Sequence, residues 1–299
     1  RNKVRNYRNI SLGLFVFTIG LFKKLIIADT FAIWATNGFD VAEKLDFFTA
    51  WVTSLSYTFQ LYFDFSGYTD MAIGIALLFN IRLPINFFSP YKATSIQDFW
   101  SRWHMTLSRF LKDYVYIPLG GNRLGSIRTY NNLLATFLIG GIWHGAGWTF
   151  LFWGAMHGIA MVIHRVWQGM GFRLNNFVAW FITFNFVNFS WVFFRANDFA
   201  DALKVLKGML GFNGLFLSRF DLTDKITNIF QQVLVELDGD IYTFTWLVMG
   251  FFLTFVCKNS MELKDEFKPD VKNAIFTISL FIISFFSLGK YSEFLYFQF

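Results

Sequence analysis

Charge and cysteine are both scarce in this chain. Only 15% of its 299 residues are charged, against about 25% in ordinary soluble domains. Most soluble enzymes need more polar surface than this to cover a core, and disordered or nucleic-acid-binding chains carry far more charge, so the composition argues against these classes. The single cysteine, Cys257, excludes an intrachain disulfide and leaves the redox compartment open.

Apolar and aromatic residues are abundant instead. They make up 55% of the chain, with 43 phenylalanines, and the mean hydropathy is +0.43. This composition predicts an all-α, polytopic integral membrane protein with one membrane-embedded domain over 1–299. A bilayer core of about 30 Å requires about 20 mostly apolar residues per helix. The stretches free of Asp, Glu, Lys and Arg are 9–22, 47–63, 71–81, 129–164, 174–194, 241–257 and 273–289.

The placement of the charges predicts sidedness, because basic residues favour the cytoplasmic side of a membrane. Segment 82–128 has seven basic and two acidic residues, whereas 29–46 has four acids and one lysine. The signs alternate consistently when 1–8, 82–128, 165–173 and 258–272 are cytoplasmic. Segments 29–46 and 195–240 then face outward, and 47–81 makes one net crossing.

The basic segment 82–128 is too long and too aromatic for a simple connection. Bulky residues recur at helical spacing over 96–116, and Ser95 is a candidate N-cap with Asp98 three residues later. We interpret this stretch as an amphipathic helix at the membrane interface. The glycine pair Gly120-Gly121 follows, without the Lys-Ser/Thr of a phosphate-binding P-loop.

The four histidines are the candidate chemical groups. His144 lies among small residues inside an apolar stretch, where an ionisable side chain is costly and indicates function; its alternative role is helix packing. His104 lies in the basic segment. His157 and His164 are two helical turns apart, but no acidic residue lies between them, which disfavours a metal pair. A histidine with an ordinary pKa suits general-base catalysis on a hydroxyl.

Four motifs together resemble the bacterial membrane-bound O-acyltransferases of the alginate O-acetyltransferase type. They are QLYFDFSGYTDMAIG at 60–74, DFWSRWH at 98–104, YIPLGGNR at 116–123 and GIWHGA at 141–146. The closing FLYFQF at 294–299 is also similar to that subgroup. The family has further transmembrane helices before the position that corresponds to Arg1, so we expect this chain to lack them.

The resemblance implies helices around a transmembrane catalytic tunnel in the bacterial inner membrane. It makes His144 the catalytic histidine, with His104 as the second histidine of the site. No resident cofactor or metal is expected. The donor is acetyl-CoA or another acyl thioester, held by the basic segment on the cytoplasmic side. Further residues expected to bind the donor or line the tunnel are Arg102, Trp103, Trp143, Asp64, Asp70, Asn122 and Arg123.

The partners implied are the lipid bilayer, an extracytoplasmic polysaccharide acceptor and a separate periplasmic acetyltransferase. The polysaccharide could be an alginate-like exopolysaccharide, cellulose or peptidoglycan. Asp64 and Asp70 have a second interpretation, as packing acids bonded to neighbouring Ser or Tyr. His144 is either a general base or a transient acyl acceptor. Two other functions stay open: a transporter or channel with a histidine proton relay, and an acyltransferase acting on protein, lipid or teichoic acid.

Overall fold

The computed structural model describes residues 6–215 and 241–289. These residues form helices and connections and contain no strand, as predicted for an all-α chain. The closing motif at 294–299 and residues 1–5 of the basic N-terminal segment lie outside the described residues. The α-helices are α1 Tyr7–Phe22, α2 Asp29–Thr36, α3 Phe47–Leu78, α4 Ile96–Arg102, α5 Met105–Leu111, α6 Gly125–His144, α7 Trp148–Gly169, α8 Asn176–Arg195, α9 Phe199–Met209, α10 Ile241–Phe255, α11 Ser260–Asp265 and α12 Val271–Ser287.

The predicted spans correspond to helices. Among the described residues, two stretches are both long and apolar enough to cross a membrane, Tyr7–Val41 and Asn176–Arg195, while α10 and α12 are apolar but shorter. The first stretch joins α1 to α2 through a π turn at Lys23–Ala28 and ends in a second π turn at Asn37–Val41. It therefore continues well into the acidic segment 29–46, beyond the predicted span.

α3 has 32 residues, a length of about 48 Å at 1.5 Å per residue. It begins at a capping box formed by Asp46 and Thr49 and runs through both acidic residues of the 60–74 motif. Segments 47–63 and 71–81 thus lie largely on one helix, and their single net crossing of the membrane stays a prediction. Glycines bring α1 and α3 into close contact, since a Cβ on Gly20 would lie 2.5 Å from the carbonyl oxygen of Gly67.

The apolar stretch 129–164 forms two helices, α6 and α7, joined by a short turn after His144. Their crossing also depends on glycine. A Cβ on Gly141 would lie 2.5 Å from the Phe150 carbonyl oxygen, and a Cβ on Gly154 would lie 2.5 Å from the Phe137 carbonyl oxygen. Small residues at such crossings let helix backbones approach closely. The position of His144 is therefore set by a tightly packed helix hairpin.

We expect Gly154→Ala to destabilise this hairpin by about 1–3 kcal/mol, the usual cost of overpacking a close contact. The added methyl meets the Phe137 carbonyl, which is main chain and cannot rotate away. Thermal unfolding of the purified protein in detergent measures the loss. Gly169→Ala is the matched control, because its Cβ would have no atom within 4 Å; equal loss in both variants would contradict the packing argument.

The interpretation of 96–116 as one amphipathic helix is wrong. Ser95 does cap a helix, since its side chain accepts from Asp98 N, but that helix ends at Arg102. His104 has a left-handed φ of +42° and separates α4 from α5. Two long-range main-chain bonds hold the break: Phe88 N donates to Arg102 O and Met105 N donates to Asn86 O. The segment packs against α6 and α7 instead of forming one continuous surface helix.

Candidate active site

His144 is the last residue of α6, where the chain turns at Gly145 into α7. Its imidazole is partly buried among aromatic rings. The ring centroids of Trp143, Phe194 and Trp153 lie 4.9, 5.0 and 5.3 Å from it, all in edge-to-face arrangements. An aromatic enclosure limits the number of water molecules around the ring and fixes its direction.

His104 and His144 both contact the ring of Trp143. The Trp143 ring centroid is 6.4 Å from that of His104 and 4.9 Å from that of His144. His104 is 8% exposed, and both ring nitrogens are buried without a hydrogen-bond partner among the described residues. Burial lowers the pKa of His104 to about 4, so the ring is neutral at neutral pH. Unpartnered buried polar groups are rare in folded proteins and are expected at functional positions.

One large cavity runs along α6. It has a volume of about 730 Å³, and we call it the His144 cavity. On α6 the lining runs from Leu133 to His144, a rise of about 16 Å along the helix. The other lining residues come from α4, from the basic segment before α6 and from α7. The side chains that line it include Trp100, Arg109, Lys112, Asn122, Arg123, His144, Trp153 and Arg165.

Asn122 and Arg123 line the same cavity as His144, and their role in donor binding stays a prediction. Sequence reasoning missed Arg165, which comes from the end of α7 and adds a further positive charge to this lining. Its position on the predicted cytoplasmic side, with the basic segment, was the available signal. Trp100 and Trp153 were also missed, since the chain has 11 tryptophans and nothing in their spacing separates these two.

Other predicted site residues lie outside this cavity lining. Trp103 is 4% exposed and packs in the core, with ring centroids 5.0 Å from Phe87 and from Trp191. The Arg102 guanidinium binds Asp98 one turn earlier on α4, at 2.7 Å. These contacts shape the segment that carries His104.

Asp64 and Asp70 are paired with lysines across the contact between α1 and α3. The Lys23 ammonium lies 2.7 Å from an Asp70 oxygen, and the Lys24 ammonium lies 2.7 Å from an Asp64 oxygen. All four side chains are at most 10% exposed. Lys23 also donates to Ser260 at 2.9 Å, which ties in α11. Neither acid lines the His144 cavity, so this geometry favours a packing role.

His157 and His164 face different surroundings. His157 is fully buried and its ring nitrogens contact Trp100 and Ser190. His164 lines a second cavity of about 1090 Å³ between α7 and α8. A shared metal site for this pair does not fit that arrangement.

The model of the membrane-bound O-acyltransferase family matches residues 1–200. The chain belongs to the membrane-bound O-acyltransferase family. The resemblance noted in its motifs is thereby confirmed. The family match includes both helices of the hairpin that carries His144, all of the basic segment and the whole of α8.

Several curated relatives are similar over much of the chain. It is 51% identical to the peptidoglycan O-acetyltransferase of Helicobacter pylori over 310 residues, covering all of this chain and 58% of that protein. It is 37% identical to the probable alginate O-acetylase AlgI of Pseudomonas putida over 318 residues, covering all of this chain and 63% of that protein. With the Pseudomonas aeruginosa AlgI, identity is 41% over 237 residues, covering 79% of this chain and 44% of that protein. The chain thus spans about half to three fifths of these relatives.

Proposed function

We propose that this membrane-bound O-acyltransferase chain belongs to an enzyme that transfers acetyl groups from a cytoplasmic acyl thioester toward hydroxyls of an extracytoplasmic polysaccharide. The donor we propose is acetyl-CoA or a similar thioester. The site we propose lies in a multi-pass protein of the bacterial inner membrane, with His144 as the catalytic base and His104 beside it.

The observation that carries this proposal is the His144 cavity. One continuous space is lined by the family's candidate histidine and by four basic side chains, Arg109, Lys112, Arg123 and Arg165. Guanidinium and ammonium groups bind phosphates by charge-assisted hydrogen bonds. A thioester on a phosphate-bearing carrier could therefore be held by its phosphates while its acyl end reaches His144.

The chemistry needs one base and good alignment. The neutral His144 imidazole takes the proton of the acceptor hydroxyl as its oxygen attacks the thioester carbonyl carbon. The carbon–sulfur bond then breaks, and the proton passes from His144 to the leaving thiolate, which departs as a thiol. His104 lies outside the lining of this cavity and both of its ring nitrogens are buried; it contacts the Trp143 ring, which also contacts His144. Positioning supplies much of the rate in such a step.

The acceptor we propose is a cell-envelope polysaccharide such as peptidoglycan or an alginate-like polymer. The relatives from Helicobacter pylori and Pseudomonas putida, named peptidoglycan O-acetyltransferase and probable alginate O-acetylase AlgI, support that class. A periplasmic acetyltransferase could receive the acetyl group before the polymer does, as the family resemblance implies. Mass spectrometry of envelope polysaccharides from a deletion strain identifies the acceptor.

The test is donor consumption by the purified protein. We expect acetyl-CoA to be cleaved, with release of free CoA thiol, when an acceptor polysaccharide is added, and the acetyl group to be found as an ester on that polymer. A transporter with a histidine proton relay would move substrate across vesicles without consuming donor. Flux without thiol release would therefore reject the acyltransferase proposal.

We expect Arg123→Ala to raise the donor KM about tenfold or more, since a hydrogen bond to a charged group contributes about 1.5–3 kcal/mol. The kcat should change little, because a phosphate contact far from the reacting carbon binds ground state and transition state alike. Arg128→Ala is the matched control: Arg128 is exposed, lies in the same basic segment and is outside the cavity lining. A similar rise in KM in the control would point to general surface charge instead.

A further inference from the structure

His157 is a buried group that the proposed reaction does not use. It lies on α7, one helical turn after Trp153, and is 0% exposed. Its surroundings are aromatic, with the ring centroids of Trp153, Trp100 and Phe186 at 4.8, 5.2 and 5.2 Å. A polar ring in such an apolar site is costly unless both of its nitrogens are hydrogen-bonded.

Both nitrogens do have partners, and the partners determine the tautomer. The Trp100 indole can only donate, so its Nε1–H donates to His157 Nδ1 at 3.2 Å. Nδ1 is therefore the unprotonated nitrogen, and Nε2 carries the hydrogen. Nε2 lies 2.9 Å from Ser190 Oγ, and the Ser190 hydroxyl donates its own hydrogen to Val187 O at 2.8 Å. The result is a series of three hydrogen bonds, all donated in the same direction, from Trp100 through His157 and Ser190 to the Val187 carbonyl.

This series of hydrogen bonds joins three helices at the side of the His144 cavity. Trp100 lies on α4, His157 on α7 and Ser190 on α8. Trp100 and Trp153 both line the cavity, and Trp153 also contacts His144. α4 is a short helix of seven residues that ends just before the break at His104. A short helix depends on tertiary contacts to hold its position. The hydrogen bond from Trp100 to His157 is one such contact.

We propose that His157 is a positioning residue for acyl transfer, which as the Nε2–H tautomer holds Trp100 and the wall of the His144 cavity against α7 and α8. The inference rests on the proposed function. The donor's acyl end would lie along this wall, and a displacement of about 1 Å at a reacting centre can lower a rate about 100-fold. His157 would thus act through Trp100 and Trp153, without touching the substrate.

Kinetics of five variants test the role. We expect His157→Leu and Trp100→Phe each to lower kcat about 10- to 100-fold, as misalignment does. The double variant should be no slower than either single variant, because both remove the same hydrogen bond. His157→Gln, which keeps a donor and an acceptor, should regain most of the rate. Trp180→Phe is the control, since its indole also donates in the core, to Tyr91 O at 3.0 Å, but lies outside the cavity lining.

Nitrogen NMR of the histidine-labelled protein gives a readout apart from activity. The His157 signal, assigned by its loss in His157→Gln, should show a protonated Nε2 and an unprotonated Nδ1. Protonation at Nδ1, an unchanged kcat in His157→Leu, additive loss in the double variant or an equal loss in Trp180→Phe would each overturn the proposal. If the unsubstituted protein transfers no acetyl group, the proposed function fails and the positioning role fails with it, while the tautomer result still decides the hydrogen-bond chain.

Discussion

Replacing His144 with alanine should lower the rate of acetyl transfer about 10²- to 10⁴-fold, the range that a positioned general base contributes. The other buried histidines are not placed to replace it, because both ring nitrogens of His104 are buried outside the cavity lining and those of His157 are bonded to Trp100 and Ser190. Thiol release from acetyl-CoA and ester formation on the polysaccharide should fall together. The unfolding temperature should change little, since His144 is only partly buried and no hydrogen bond of its side chain is recorded among the described residues.

Donor binding separates loss of chemistry from loss of the site. The basic lining of the cavity is intact in His144→Ala, so the dissociation constant for acetyl-CoA should stay near that of the unsubstituted protein. His164→Ala is the matched control, because His164 is also on the α6–α7 hairpin but lines the second cavity. Transfer at the parent rate by His144→Ala, or an equal loss in His164→Ala, would exclude His144 as the base.

The helices could be predicted from the sequence because each depends on a local property. Runs of apolar residues mark α6, α7 and α8, and Ser95 marks the start of α4 through its own side chain. The break at His104 could not be predicted. The apolar spacing continues through it. The helix is interrupted by two main-chain hydrogen bonds, one from Phe88 N to Arg102 O and one from Met105 N to Asn86 O. Contacts across such a separation leave no periodic signal in the segment that they bend.

The site was partly predictable for the same reason. His144 was a candidate because an ionisable ring in an apolar stretch is unusual, and the motif resemblance then made His144 and His104 the predicted histidines of the site. Asp64 and Asp70 met the same criterion, yet the structure pairs them with Lys24 and Lys23, some 40 residues earlier. A buried charge in a sequence indicates that a partner exists. It does not say whether that partner is a substrate or another side chain.

Removing the Asp70 carboxylate should be among the most damaging changes to stability. Asp70→Ala leaves the Lys23 ammonium buried beside the Ser66 and Ser260 hydroxyls, without the carboxylate that pairs with it. Breaking a buried pair from one side costs about 3–5 kcal/mol, because the remaining charge stays desolvated. We expect that loss in the free energy of unfolding, measured in detergent or lipid discs. Removing both charges, as in Lys23→Met with Asp70→Leu, should recover most of it.

The double variant also decides between the two interpretations of Asp70. If the acid is a packing group, the variant without either charge should fold and transfer acetyl groups at close to the parent rate. If it lines a tunnel, activity should stay low although stability returns. Glu266→Ala is the control for loss of an ion pair, since the Lys258–Glu266 pair is more than half exposed and such pairs contribute about 0–1 kcal/mol. Because α1, α3 and α11 meet at Lys23, a packing role assigns this pair to holding the α1–α3 contact, apart from the His144 cavity.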